Sequence, residues 1–169
     1  FTSGGAGIRS LGPLLIRESQ ILNNSSSDSG GGILFDPSGL DLALTIENST
    51  LSGNSADING GAVHVDSILN PPVNVLGTTI SNNTARDSGA GLFLISGDVS
   101  VSDSTVSNNR IELTPLGADG VGGGLYFRAT DGIPRFTINA VTFSDNVSSS
   151  AGGGAAFIAS ATLISLHIA

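Results

Sequence analysis

At 169 residues, with hydrophobic residues at 39% and charged ones at only 12%, the chain is long enough for one domain with a sizeable core and too apolar to stay disordered. Its net charge of −8, from eleven Asp and three Glu against six Arg and no Lys, would repel a phosphate backbone and argues against nucleic acid as a partner. The absence of cysteine excludes disulfide staples and thiolate metal sites, and no apolar run approaches the roughly 18 residues of a membrane span.

Taken in order, the chain repeats one frame. Gly5-Ala6-Gly7-Ile8 opens a rung that runs to Asn24, and glycine-rich openers follow at Gly30, Gly60, Gly89, Gly122 and Gly152. Ahead of them lie Ile16 to Asn24, Ile46 to Asn54, Val75 to Asn83, Val101 to Asn109 and Ile138 to Asn146. The gap from Asn to Gly is six residues in four of the five cases, so length variation collects in particular loops and the strands stay constant. The exception contains the insertion from Arg110 to Val121, which Pro115, Gly117 and Gly120 mark as a surface excursion. Phe1 and Ala169 both fall inside rungs and no basic-then-apolar signal segment opens the chain, so residues 1–169 are read as a single segment of a longer protein.

Each rung holds three short alternating segments. The first carries Ile33 and Phe35, Val63 and Val65, Leu92 and Leu94, or Leu125 and Phe127. The second carries Leu44 and Ile46, Val73 and Val75, Val99 and Val101, or Phe136 and Ile138; the third centres on Ile21, Leu51, Ile80, Val106 and Phe143. Two-residue Asn-Gly hairpin turns between paired strands are missing, so like segments must stack in parallel. All six prolines fall between segments, as a ladder that needs every backbone N–H requires. After the second segment come Glu18, Asn48, Gly77, Asp103 and Ala140: a left-handed bend is expected at Asn48, Gly77 and Asp103, and fits Glu18 and Ala140 poorly. The fold class that follows is all-β, a parallel β-helix of about five and a half coils with three short strands per coil, right-handed by the usual sense of parallel crossovers.

This frame, with Gly60-Gly61-Ala62-Val63 and Phe143-Ser144-Asp145-Asn146 as its clearest signatures, resembles the right-handed parallel β-helix family of pectin-lyase-like fold. Within it the likeness is to the Gly-Gly-Ala and Phe-x-x-Asn repeats of polymorphic outer-membrane and cell-surface proteins of adhesin type. The resemblance implies an extracellular or cell-surface structural protein: an adhesin shaft, a scaffold, or a filament subunit stacking end to end. Its partners would then be other copies of itself or continuing coils, with surface polysaccharide as a further candidate. Chemistry is much less legible than architecture. Polygalacturonase-type hydrolases of this fold need a Gly-His-Gly and an Arg-x-Lys segment, and the calcium-binding β-roll needs Gly-Gly-x-Gly-x-Asp; all three are absent.

Asn24, Asn54, Asn83, Asn109 and Asn146 are expected to stack as a structural ladder. The outward positions of the third segment form hydroxyl rows, Thr50, Thr79, Thr105 and Thr142 beside Ser52, Ser81, Ser107 and Ser144, which suit a solvated face and would also order water. Outward from the first segment run Arg9, Leu34, His64, Phe93, Tyr126 and Ala156, a partly apolar stripe that is either a contact surface or covered by a loop of its own chain. Beside it, Asp36 and Asp66 recur one rung apart near His64. Paired carboxylates would share a proton or hold Ca²⁺, although acidic loop residues are usually just solvated. His64, Asp36, Asp66, Phe93 and Tyr126 are therefore the candidate ligand-binding set, the alternative function being a carbohydrate-binding or carbohydrate-active groove. No catalytic set and no cofactor or metal site is expected otherwise: His64 and His167 stand several rungs apart, and Arg128, Asp131 and Arg135 read as a self-pinning loop. Asn-x-Ser/Thr triplets at Asn23, Asn24, Asn48, Asn82 and Asn146 mostly coincide with the repeated frame, which makes them turn and ladder residues.

Overall fold

The computed structural model describes residues 7–39, 42–112, 120–129 and 135–158. Among them there is no helix, and all strand pairing is parallel. The first coil contains β1 (Ile8–Ser10), β2 (Leu14–Arg17), β3 (Gln20–Leu22) and β4 (Ser25–Ser26); the second contains β5 (Ile33–Phe35), β6 (Leu44–Glu47), β7 (Thr50–Ser52) and β8 (Ser55–Ala56). The third runs through β9 (Val63–Asp66), β10 (Val73–Leu76), β11 (Thr79–Ser81) and β12 (Thr84–Ala85). The fourth runs through β13 (Leu92–Ser96), β14 (Asp98–Ser102), β15 (Thr105–Ser107) and β16 (Arg110–Ile111). A fifth coil has β17 (Leu125–Ala129), β18 (Arg135–Asn139) and β19 (Thr142–Ser144) with one Arg110–Val147 bridge, and β20 (Ala155–Ile158) begins a sixth.

Strands of equal rank stack into four sheets of six, five, five and four members. The expected three strands per coil thus become four, and four coils are complete among the described residues. The extra strand is two residues long, too short for any alternation to show. It follows the ladder asparagine and is filled by small residues, Ser26, Ala56 and Ala85 before Ile111.

Register keeps like over like. Leu51 faces Ile21 on one side and Ile80 on the other, and Ile80 in turn faces Val106. The inward residues of the first three sheets make one continuous core in which Phe35, Leu44, Ile46, Leu51, Ile80, Leu94 and Phe127 are 0% exposed. Burial of one such side chain contributes about 1.5–3 kcal/mol, so each coil is stable only when it lies against another. Near the later coils the core becomes aromatic, with Phe136 tilted on Phe127 at 4.6 Å between ring centres and edge-on to Phe157 at 4.9 Å.

Three recurring left-handed corners turn each coil, and Asn70 and Gly120 are left-handed in addition. The corner between second and third strands has positive φ at all five positions, Glu18, Asn48, Gly77, Asp103 and Ala140, so the bend extends to the two residues expected to fit it poorly. The next corner uses Asn23, Gly53, Asn82, Asn108 and Asp145, and the last uses Gly30, Gly60, Gly89, Gly122 and Gly152. Only the last corner demands glycine: a Cβ on Gly60 would fall on the Val63 carbonyl oxygen and stand 2.8 Å from the His64 Cβ. The Pro115 stretch, most of the Arg110–Val121 insertion, Asp131, Pro134 and His167 lie outside the described residues.

Candidate functional site

The corner that follows each glycine decides what the first sheet shows to solvent. Arg9, Leu34, His64, Phe93, Tyr126 and Ala156 are in register along its outer side. Four of them are nevertheless buried: Leu34 and His64 are 8% exposed, Phe93 6% and Tyr126 9%. The glycine corners fold back over the row, a Cβ on Gly89 standing only 2.8 Å from the Phe93 Cβ, and Val121 packs on Phe93 and Tyr126. Of the two readings of this stripe, the loop of its own chain is the one that fits. The rings also cover one another, His64 on Phe93 and Phe93 on Tyr126, each pair 4.8 Å apart and within 4° of parallel. Burial pushes the Tyr126 hydroxyl up, against the nearby Arg128 and with help from Asp87 and Asp66.

Where the row changes from His64 to Leu34, a pocket of about 190 Å³ opens, lined by Asp28, Ser29, Leu34, Phe35, Asp36, His64 and Asp66. The structure therefore brings together Asp36, Asp66 and His64 and leaves Phe93 and Tyr126 out of the pocket, because their faces are spent on stacking. Asp36 follows β5 and Asp66 ends β9, and the Phe35–Val65 pairing puts them one strand spacing apart, roughly 4.8 Å. Asp36 holds Arg9, Nη2 to Oδ2 at 3.1 Å. Asp28 and Ser29, which sequence reasoning missed, come from the corner before Gly30, and the signal that could have found them is the recurrence of Asp-Ser-Gly at Asp87-Ser88-Gly89.

His64 is the perturbed group of the site. Burial lowers its pKa to about 4, and the neighbouring carboxylates of Asp66, Asp28 and Asp36 only partly oppose that shift. The imidazole is thus neutral at pH 7, and its buried Nδ1 has no hydrogen-bond partner. Among the described residues no three His, Asp or Glu side chains are arranged to hold a metal ion.

The remaining polar rows run along the stack. Each ladder asparagine donates from Nδ2 to the Oδ1 of the next: Asn24 to Asn54 at 2.9 Å, Asn54 to Asn83 at 3.0 Å, then Asn83 to Asn109 and Asn109 to Asn146 at 2.9 Å. The same Oδ1 accepts the preceding asparagine's backbone N–H, and the second Nδ2 proton goes back to a third-strand carbonyl, as from Asn83 to Leu51 at 3.1 Å. A second ladder, also missed, lies just after the first left-handed corner. Ser19, Ser49 and Thr78 each donate a backbone N–H to the hydroxyl of Ser49, Thr78 and Ser104 in turn, at 3.1, 3.4 and 3.0 Å. Those hydroxyls bridge the left-handed residue by donating to the carbonyl two positions back, Ser49 to Glu47 at 2.7 Å and Ser104 to Ser102 at 2.6 Å. The hydroxyls were legible as a column, Ser19, Ser49, Thr78 and Ser104, only once the corner was placed. On the third sheet Thr50, Thr79, Thr105 and Thr142 pair in register with Ser52, Ser81, Ser107 and Ser144 beside them, all half-buried or exposed.

A model of the Chlamydia polymorphic membrane protein (Chlamydia_PMP) repeat matches residues 48–66. The chain is similar to the β-helix repeats of polymorphic outer-membrane proteins. No curated protein matches it, and no solved structure does. The polymorphic membrane protein match spans the left-handed Asn48, the Ser49 hydroxyl, β7, the ladder Asn54, the Gly60 corner and β9. It therefore falls mostly on residues that turn and stack a coil, although His64 and Asp66 lie within it.

Proposed function

We propose that this chain is a rigid, non-enzymatic β-solenoid module of a cell-surface protein, a shaft or scaffold that lengthens by adding coils from its own chain or from another copy. The observation that carries this reading is the direction of its polar bonding. Both buried ladders run from coil to coil, and so do the ion pairs Arg9–Asp36, Arg17–Glu47 and Arg86–Asp57. The chain spends its polar side chains on stacking, which is what a spacer needs. The likeness of residues 48–66 to a polymorphic membrane protein repeat supports the surface setting. A sugar groove has less support: its two aromatic rings are buried, and about 190 Å³ is below the roughly 300 Å³ at which ligand pockets begin.

Three measurements test this. Antibody against the chain should label intact source cells without permeabilisation; labelling only after permeabilisation overturns the surface assignment. A tandem of two copies should gain about 24 Å in maximum dimension by small-angle scattering, five rungs at ~4.8 Å, and a tandem that folds side by side without lengthening overturns the shaft. Release of sugar products from polyuronate by the purified chain would overturn the non-enzymatic reading.

A further inference from the structure

We propose that the pocket beside His64 receives a small hydrogen-bond-donating cation, a guanidinium or primary ammonium group. Three carboxylates from separate segments border it: Asp28 from the corner before Gly30, Asp36 after β5 and Asp66 at the end of β9. One is already engaged in this chemistry, since Asp36 holds the Arg9 guanidinium at 3.1 Å. The carboxylates of Asp28 and Asp66 are bound by no donor among the described residues. A second observation is independent of these acids: His64, a lining residue only 8% exposed, keeps a buried Nδ1 with no partner. Leaving a buried polar atom unmatched costs about 1–3 kcal/mol, so a ligand that partners this nitrogen is favoured.

The polar lining is dominated by three carboxylates. An anion would be repelled, and a metal ion lacks three ligands suitably arranged. A neutral sugar would need more room than about 190 Å³, whereas one planar headgroup fits. Guanidinium supplies donors in a fixed fork for two carboxylates, and its weakly hydrated face suits the Leu34 and His64 side of the pocket.

The test uses the isotope-labelled full chain at low ionic strength, with methylguanidinium, methylammonium and tetramethylammonium as probes and nuclear magnetic resonance as the readout. Methylguanidinium or methylammonium should give saturable shifts at the His64 ring nitrogens and at Asp28 and Asp66. Asp66→Asn and Asp28→Asn should each weaken that binding about tenfold, the size of a lost charge-assisted hydrogen bond, while Asp57→Asn leaves it unchanged. The tripeptide Gly-Arg-Gly binding at least as tightly as methylguanidinium identifies a protein side chain as the source; weaker binding identifies a free small molecule. Equal shifts with tetramethylammonium, which has charge but no N–H, overturn the proposal. So do non-saturable shifts spread over all the acidic residues, or tighter saturation of the same signals by Ca²⁺.

Discussion

His64 and Asn83 are both buried polar side chains, and they differ in whether their bonding capacity is met. Asn83 is fully used: its Oδ1 accepts the Asn54 backbone N–H at 2.9 Å and the Asn54 Nδ2 at 3.0 Å, while its own Nδ2 reaches Leu51 and Asn109. Asn83→Ala strands two buried donors of Asn54 and should cost about 3–5 kcal/mol in chemical denaturation, whereas Asn82→Gly, at an exposed left-handed position, should change stability by under about 1 kcal/mol. His64 is not satisfied, and the consequence is a pH dependence. Its folded pKa, about 4, lies below the ordinary 6.5, so between those values the unfolded chain binds a proton that the folded chain does not. Stability from this residue is complete above pH 6.5, falls as pH drops towards 4 by roughly 3 kcal/mol, and is flat below. His64→Phe keeps the stack on Phe93, removes the unmatched nitrogen and should abolish that acid limb in urea titrations from pH 7 to 4, with no loss of stability at pH 7. An acid limb of unchanged size would show that the carboxylates alone produce it.

Corners and strands make different demands on sequence. The first left-handed corner tolerates non-glycine residues because a hydroxyl one position later ties down the carbonyl behind it, as Ser49 does at Asn48 and Ser104 at Asp103. At the fifth coil this device is missing: Ala140 has φ 52° and the next residue is Val141, which offers the Ser104 amide no oxygen. Ala140→Gly should therefore raise the melting temperature by about 2–4 °C, and Val141→Thr should stabilise by about 1 kcal/mol. Either change destabilising the chain would mean that this corner is not the strained point. The strand-side glycines are the rigid counterpart. A Cβ on Gly61 would fall on the Thr84 carbonyl of the next coil, so Gly61→Ala should separate two coils and cost several kcal/mol, while Gly12→Ala, with nothing within 4 Å, should be close to neutral by thermal melting. Short elements were also the hardest to foresee. Ser25–Ser26 and Ser55–Ala56 carry no apolar alternation, and their pairing follows directly on an asparagine that the ladder holds in place.

For the molecule as a whole, the core was legible because each column repeats a side-chain class at nearly constant spacing, as Ile21, Leu51, Ile80 and Val106 do. The pocket was half legible. Asp36 and Asp66 share a register and could be paired on paper, whereas Asp28, whose type recurs at Asp87, reaches them from another corner, a meeting that spacing along the chain does not show. A stack in which each coil touches only its neighbours should unfold from its ends inward. Amide hydrogen exchange should accordingly be slowest in β9 to β12, between coils on both sides, and faster in β1 and β20; uniform protection would indicate a single cooperative unit instead. The asparagine ladder adds a sense of direction to this object. Every side-chain amide points its donor toward the later coil and its acceptor toward the earlier one, so the column is an arrow of aligned dipoles. A coil joining behind Asn146 must bring an oxygen, and one joining ahead of Asn24 must bring an N–H. Two such bodies can then join nose to tail, while a mirror-like joint would press oxygen on oxygen or proton on proton.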